Sequence, residues 1–172
     1  MANPLYEVLE SYESENFKKA SIRASLWICY RDECMIFDEI MEQAENSFAE
    51  YFGSKNCNKY PTVVEIRPSE GPACESLFTF YRRLPDNQLD VKDCTNSTHI
   101  LKTEWPSFPV YIRRFHLQSV KQKEFIDESS RFVEQLSEMN LKFMEKPYYW
   151  VIYDPSLVAN EDGNAEIWFK LE

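Results

Sequence analysis

Two histidines, five cysteines and an excess of carboxylates are the groups with which this 172-residue chain could do chemistry. His99 and His116 flank a proline-centred turn near Pro106. If the strands on either side pair as a hairpin, the two imidazoles lie about one pleat apart and form a weak candidate for a metal clip. A structural zinc site takes four ligands, however, and neither histidine has Cys or Asp partners nearby, so no metal site is expected. The cysteines, at 29, 34, 57, 74 and 94, are odd in number and lack any Cys-x-x-Cys spacing, which fits free, buried thiols. Glu65 and Glu166 stand in strand-like runs, where a glutamate ordinarily faces water; turned inward, either is a candidate for acid–base work. Glu42, Glu45 and Glu50 read as the solvated face of a helix. No G-x-S-x-G or H-E-x-x-H is present, and the only glycines, Gly53, Gly71 and Gly163, are too scattered to cradle a phosphate, so no catalytic residue and no nucleotide cofactor is expected.

These groups must be carried by elements that the hydrophobic pattern predicts. From Lys19 to Tyr30, Ala20, Ile22, Ala24, Leu26, Ile28 and Tyr30 alternate with polar residues, as in a strand with one dry face. A shorter strand over 5–10 precedes it. Asp32 is the expected N-cap of a helix whose inner stripe is Phe37, Ile40, Met41, Ala44, Phe48 and Phe52, with Gly53 ending it. Runs over 60–67 and 75–83 follow as strands. After a polar stretch the order returns: strands at 99–104 and 110–118, paired as a hairpin, then a helix over 119–143 with Phe125, Ser129, Phe132, Val133, Leu136 and Asn140 inward, stopped by Pro147. Two more strands, 148–153 and 165–171, close the chain. The pattern predicts an α+β domain over 1–172, built as a duplicated ββαββ unit with halves at about 1–84 and 98–172. Ile22-Arg23 and Ile112-Arg113 take matching places before each helix. Neither half covers its own sheet, so the expected solution is one curved, mainly antiparallel sheet of eight strands with both long helices on one face. The other face, or the groove between the halves, is left for a ligand.

Composition narrows the partners. Asp and Glu exceed Lys and Arg by 29 − 19 = 10, and such a body repels nucleic acid. No apolar run approaches a membrane span and the N-terminal residues lack a signal-peptide pattern, so a cytoplasmic protein without stable membrane insertion is expected. In that compartment Asn96-Ser97-Thr98 escapes glycosylation.

Several stretches together resemble the SOUL/haem-binding protein family. Tyr148-Tyr149, Tyr153-Asp154-x-x-Leu157 and Asn164-Ala165-Glu166-Ile167-Trp168 look like the family's aromatic strand, its Gly-Tyr-Asx-x-Pro turn and its closing Asn-Glu-(Val/Ile)-Trp strand. Tyr6-Glu7-Val8, the strand between Pro61 and Pro68, and Val110-Tyr111-Ile112-Arg113-x-Phe115 agree in order and spacing over about 90% of the chain. The resemblance implies a gyrase-inhibitor-like effector-binding architecture, a monomer or weak oligomer, and non-enzymatic binding of haem or a related porphyrin. It also departs from the family. Ser11 stands where some members carry a histidine proposed as an iron ligand, and the Met-Thr-(Ala/Val)-Pro segment is shortened to Lys59-Tyr60-Pro61-Thr62-Val63. Ile152 and Ser156 replace the turn's Gly and second Pro.

A tetrapyrrole held without a histidine ligand needs an apolar slot beside cations for its propionates. Phe48, Tyr51, Phe52, Lys55, Lys59 and Tyr60 at the end of the first helix supply both, with Leu157 and Val158 as an apolar cover. The plainer alternative makes the aromatics core and the lysines helix C-terminal charges. Cys29, Cys34 and Cys57 flank that helix as conceivable thiolate ligands. Two other functions stay open: a protein-interaction module that has lost haem binding, and a small-molecule hydrolase using Glu65 or Glu166.

Overall fold

The computed structural model describes residues 5–32, 37–52, 60–68, 77–84, 100–154 and 163–172. Nine strands and two helices follow one another as β1 (Tyr6–Tyr12), β2 (Phe17–Ile22), β3 (Ser25–Asp32), α1 (Phe37–Phe52), β4 (Thr62–Arg67), β5 (Leu77–Arg83), β6 (Ile100–Trp105), β7 (Phe108–Phe115), α2 (Gln122–Glu138), β8 (Tyr148–Ile152) and β9 (Ala165–Lys170). All pair antiparallel in one sheet of order β1-β2-β7-β9-β8-β4-β5-β3-β6. The α+β class, the single curved sheet and the two helices on one face match the expectation; the ninth strand does not.

That extra strand comes from the run over 19–30. The chain changes neighbours at Arg23 and Ala24: β2 lies beside β7, whereas β3 lies between β5 and β6. The alternation stays in phase but the faces exchange. Ala20 and Ile22 belong to the layer away from the helices, while Ile28, Tyr30 and Leu26 pack beneath them. In β3, Trp27, Ile28, Cys29 and Tyr30 are all buried, so both faces of this strand are dry. Asp32, expected at the start of the helix, is instead the last residue of β3, opposite Phe78. Ile22 and Ile112 do not correspond, since one ends β2 and the other sits inside β7.

The 106–107 connection is a crossing rather than a hairpin, because β6 pairs with β3 and β7 with β2. With the edge strand β1 set aside, the order is symmetric about the central β8–β4 pair, and each half gives a strand to the other: β2 lies against β7, β6 against β3. The sheet also rolls. Trp105 on β6 and Tyr149 on β8 are four strands apart, about 19 Å in a flat sheet, yet their ring centroids are 5.7 Å apart.

Helix positions follow from the spacing of apolar residues. Phe37, Ile40, Ala44 and Phe48 of α1, and Phe125, Ser129, Phe132 and Leu136 of α2, recur every three or four residues and are buried. The second helix ends five residues earlier than its pattern suggests. Asn140 takes a left-handed φ of 56° and faces solvent instead of the core, satisfying the helix end before Pro147 is reached. Phe37 joins the layers, with its ring 5.3 Å from Trp150, 5.5 Å from Phe78 and 5.8 Å from Phe80. Truncation of Phe37 to alanine is expected to cost about 3–5 kcal/mol in urea unfolding, and a loss under 1 kcal/mol would contradict this packing.

Candidate functional site

The sheet face away from the helices is occupied by the protein's own rings. Trp27 meets Trp105 in a tilted pair at 4.4 Å, Trp105 meets Tyr81 at 4.7 Å and Phe108 at 5.6 Å, and Tyr149 lies 6.2 Å from Trp168. Trp27 and Trp168 are fully buried, Tyr149 nearly so. The sequence pattern left either this face or the groove between the halves for a ligand. Here the roll of the sheet folds its aromatics against one another, which buries more apolar surface than an open trough would.

Both candidate carboxylates point into this layer, contrary to the outward orientation ordinary for strand glutamates. Glu166 is fully buried, and its Oε1 accepts from Tyr6 OH (2.9 Å), Tyr153 OH (3.0 Å) and Arg114 Nη2 (2.6 Å) and Nε (3.2 Å), its Oε2 from Trp168 Nε1 (2.8 Å). Glu65 Oε1 accepts from Arg67 Nε at 2.9 Å and its Oε2 from Tyr149 OH at 3.3 Å. Burial disfavours the Arg114 cation, but the Glu166 charge outweighs it and the guanidinium pKa is raised. Burial, then the neighbouring carboxylate, raises the phenols of Tyr6 and Tyr149. Burial lowers the amines of Lys18, 5.0 Å above the Tyr6 ring, and Lys170, 4.5 Å above Phe108. The charges here are matched pair by pair, as buried ions must be.

An open groove lies on the helix side instead, where the two halves meet. Met41 and Glu45 of α1, Thr62 and Arg82 at the paired ends of β4 and β5, and Val120, Ile152, Tyr153, Asp154 and Asn164 from the second half enclose about 310 Å³ with Tyr60, within the range of small-molecule sites. Arg82 Nη2 donates to Glu45 Oε2 at 2.7 Å and to Thr62 Oγ1 at 2.6 Å, and Thr62 donates to Glu45 Oε1 at 2.5 Å. The guanidinium lies 5.4 Å from the centroid of the Phe48 ring. Its Nε and Nη1 are buried and, among the described residues, have no partner. Glu45 thus departs from the solvated helix face to which Glu42 and Glu50 belong.

Of the residues expected to bind a ligand, Tyr60 lines this groove, with Arg83 stacked 5.1 Å over its ring. Phe48 is fully buried core; Tyr51 and Phe52 are half-buried against the same core. Lys55, Lys59, Leu157 and Val158 lie outside the described residues, although the connection carrying Leu157 and Val158 leaves from Asp154 and returns to Asn164 at the groove wall. Cys29 is a free, buried thiol in the aromatic layer, across the sheet from α1, and burial raises its pKa. Cys34, Cys57, Cys74, Cys94 and His99 are outside the described residues. His116 is exposed beyond β7, and the hairpin that would set it opposite residue 99 does not form. Among the described residues no three His, Cys, Asp or Glu side chains gather as metal ligands would.

Sequence reading missed Arg82 and Thr62. The signal was present: the helix-facing row of β5 runs Phe78, Phe80, Arg82, and a cation that continues an apolar row is buried or lines a cavity.

The family model described as "SOUL heme-binding protein" matches residues 1–170. No curated protein matches the chain significantly. Among solved structures, the EcmrR C-terminal domain is similar with a TM-score of 0.60 and 12% identity over 98% of each chain. Against the EcmrR chain of an EcmrR–DNA complex the TM-score is 0.59 at 12% identity, and the alignment covers 98% of this chain but 58% of that one. A hydrolase from Listeria innocua gives a TM-score of 0.58 at 8% identity, covering 91% of this chain and 92% of that one. Likeness at these identities is a likeness of fold.

The raised phenols set a pH dependence. An unfolded chain ionises its tyrosines near pH 10, whereas folded Tyr6, Tyr81 and Tyr149 keep their protons beyond that point. Above about pH 10 the unfolded state therefore binds fewer protons, and stability falls as pH rises. In a spectrophotometric titration these three phenols are expected to ionise only as the protein unfolds; all ten tyrosines titrating together in a folded chain would contradict it.

Proposed function

Because this chain belongs to the SOUL heme-binding protein family, matched over residues 1–170, we propose that it binds haem or a related tetrapyrrole in the groove beside α1, without catalysing a reaction. The observation that carries this reading is the groove itself: apolar walls from Met41, Val120 and Ile152, an aromatic wall from Tyr60, and a buried guanidinium two of whose nitrogens have no partner among the described residues. A flat apolar ring with acidic substituents needs that combination. When bound, the group would supply a porphyrin π-surface and, as haem, an iron centre. The residues present bury its ring and meet its charge.

Three residue groups complete the proposed site. Tyr51 and Phe52 extend the apolar wall at the C-terminal end of α1. Lys55 and Lys59 follow that helix in sequence and add positive charge for the propionates. Leu157 and Val158 cover the groove from the connection between Asp154 and Asn164. No iron-ligating histidine is assigned, since Ser11 stands at the family's position, His116 is not among the residues that line the groove and His99 lies outside the described residues. The symmetric strand order supports reading the domain as two related halves meeting at this groove.

A non-enzymatic role is supported by the way the buried carboxylates are held. Glu166 receives five hydrogen bonds and Glu65 is tied to Arg67 and Tyr149, which leaves neither free to take a substrate proton. We place the protein in the cytoplasm as a monomer or weak oligomer, with neither nucleic acid nor a membrane as partner. The excess of 29 acidic over 19 basic residues supports the first exclusion. For the second, no helix among the described residues is long and apolar enough to cross a membrane.

Haem titrated into the full chain is expected to give a Soret shift that saturates near one equivalent. Met41→Glu, which sets a charge on a half-buried groove wall, should weaken binding at least about tenfold, and Lys55→Glu or Lys59→Glu by less. Non-saturating adsorption that ignores Met41→Glu would remove the proposal.

A further inference from the structure

We infer that Arg82 is the groove's receptor for a ligand carboxylate and that Glu45 is a built-in placeholder for that group, displaced when an acidic guest binds. This rests on the groove being the tetrapyrrole site and adds how the site selects among tetrapyrroles.

Three observations support it. First, the Arg82 side chain is 5% exposed yet half-used: Nη2 holds Glu45 and Thr62, while Nε and Nη1 are buried with no partner among the described residues. Buried N–H groups left without acceptors are costly, and each edge on which a guanidinium meets a carboxylate with two parallel bonds pairs Nη2 with either Nε or Nη1, so a bidentate guest needs the Nη2 that Glu45 now holds. Glu45 does not fill such an edge, because one of its oxygens goes to Arg82 and the other to Thr62.

Second, Glu45 can leave. Its side chain is 36% exposed on the outer flank of α1, so its rotation into water moves no backbone, and a guest carboxylate taking its place keeps the buried Arg82 charge paired.

Third, the fold does without this ionic trio at the symmetric place. The β4–β8 register pairs Thr62 with Ile152 and Ile66 with Tyr148, so Tyr148 holds in the second half the position of Thr62 in the first. Phe169, stacked on Tyr148 at 5.2 Å, stands beside Tyr148 as Arg82 stands beside Thr62, and Ser130 lines that recess from α2 as Glu45 lines the groove from α1. That counterpart recess, about 370 Å³, has Tyr148 and Phe169 on its sheet side and, among the described residues, no buried ion pair there. The Arg82–Glu45–Thr62 set is therefore not required to close a helix onto this sheet, and in a chain of net charge −10 a buried cation at a groove base is a local provision for an anion.

The test compares protoporphyrin IX with its dimethyl ester, which keeps the ring and removes both charges, by fluorescence titration of the full chain. Glu45→Gln, which removes the competing charge, is expected to tighten the diacid about tenfold and leave the ester unchanged; Arg82→Gln should erase the preference for the diacid. Should Arg82→Gln fail to fold, the diacid-to-ester ratio in Glu45→Gln decides alone. A ratio equal in the wild type and Glu45→Gln, with both porphyrins bound, overturns the placeholder and leaves the groove standing. Failure of every variant to bind either porphyrin overturns both.

Discussion

Dryness on both faces of the sheet is the constraint from which most of this structure follows. A sheet with helices on one face can leave the other to water. Here the roll that brings Trp105 against Tyr149 removes that option, and the second face becomes an aromatic core. Any charge on that face then needs a partner from within. Arg114, Tyr6, Tyr153 and Trp168 surround Glu166 for this reason, and Arg67 and Tyr149 hold Glu65. Space for a guest is left at the seam, where the end of β8 meets the start of β4 under the flank of α1.

Much of the fold was legible because helices and strands bury residues at different periods. The stripes of α1 and α2 and most strand positions follow from those periods alone. The limits were physical. Alternation between 19 and 30 carries no sign of a change of neighbours, since a two-residue step preserves the period while exchanging which layer each row faces. Similarly, Pro106 invites a hairpin in any local reading, and only the demand of β3 and β2 for outer partners turns the connection into a crossing.

The site was legible in its chemistry more than in its residues. Apolar walls beside cations were expected at the end of α1, and Tyr60 lies in the groove, yet Phe48 is spent on the core and the described cation comes from β5. By sequence neighbourhood alone, Arg82 looks like the polar end of a strand and Glu45 like a helix surface. Their pairing across 37 positions is a tertiary fact that no local pattern contains. Glu65 and Glu166 were misjudged in the same way: an interior carboxylate is identified by its donors, and those lie on other strands.

The exchange of leading strands between the halves shapes how the chain reaches this state. During synthesis the β3-β5-β4 set can form early, but β2 finds its second neighbour only when β7 emerges, with Lys18 pairing to Ile112. Until then a freshly made N-terminal portion carries an unsatisfied, partly apolar ribbon. Such late closure makes for high contact order and slow folding, and it gives the finished domain a cooperative melt in which neither half can peel away alone.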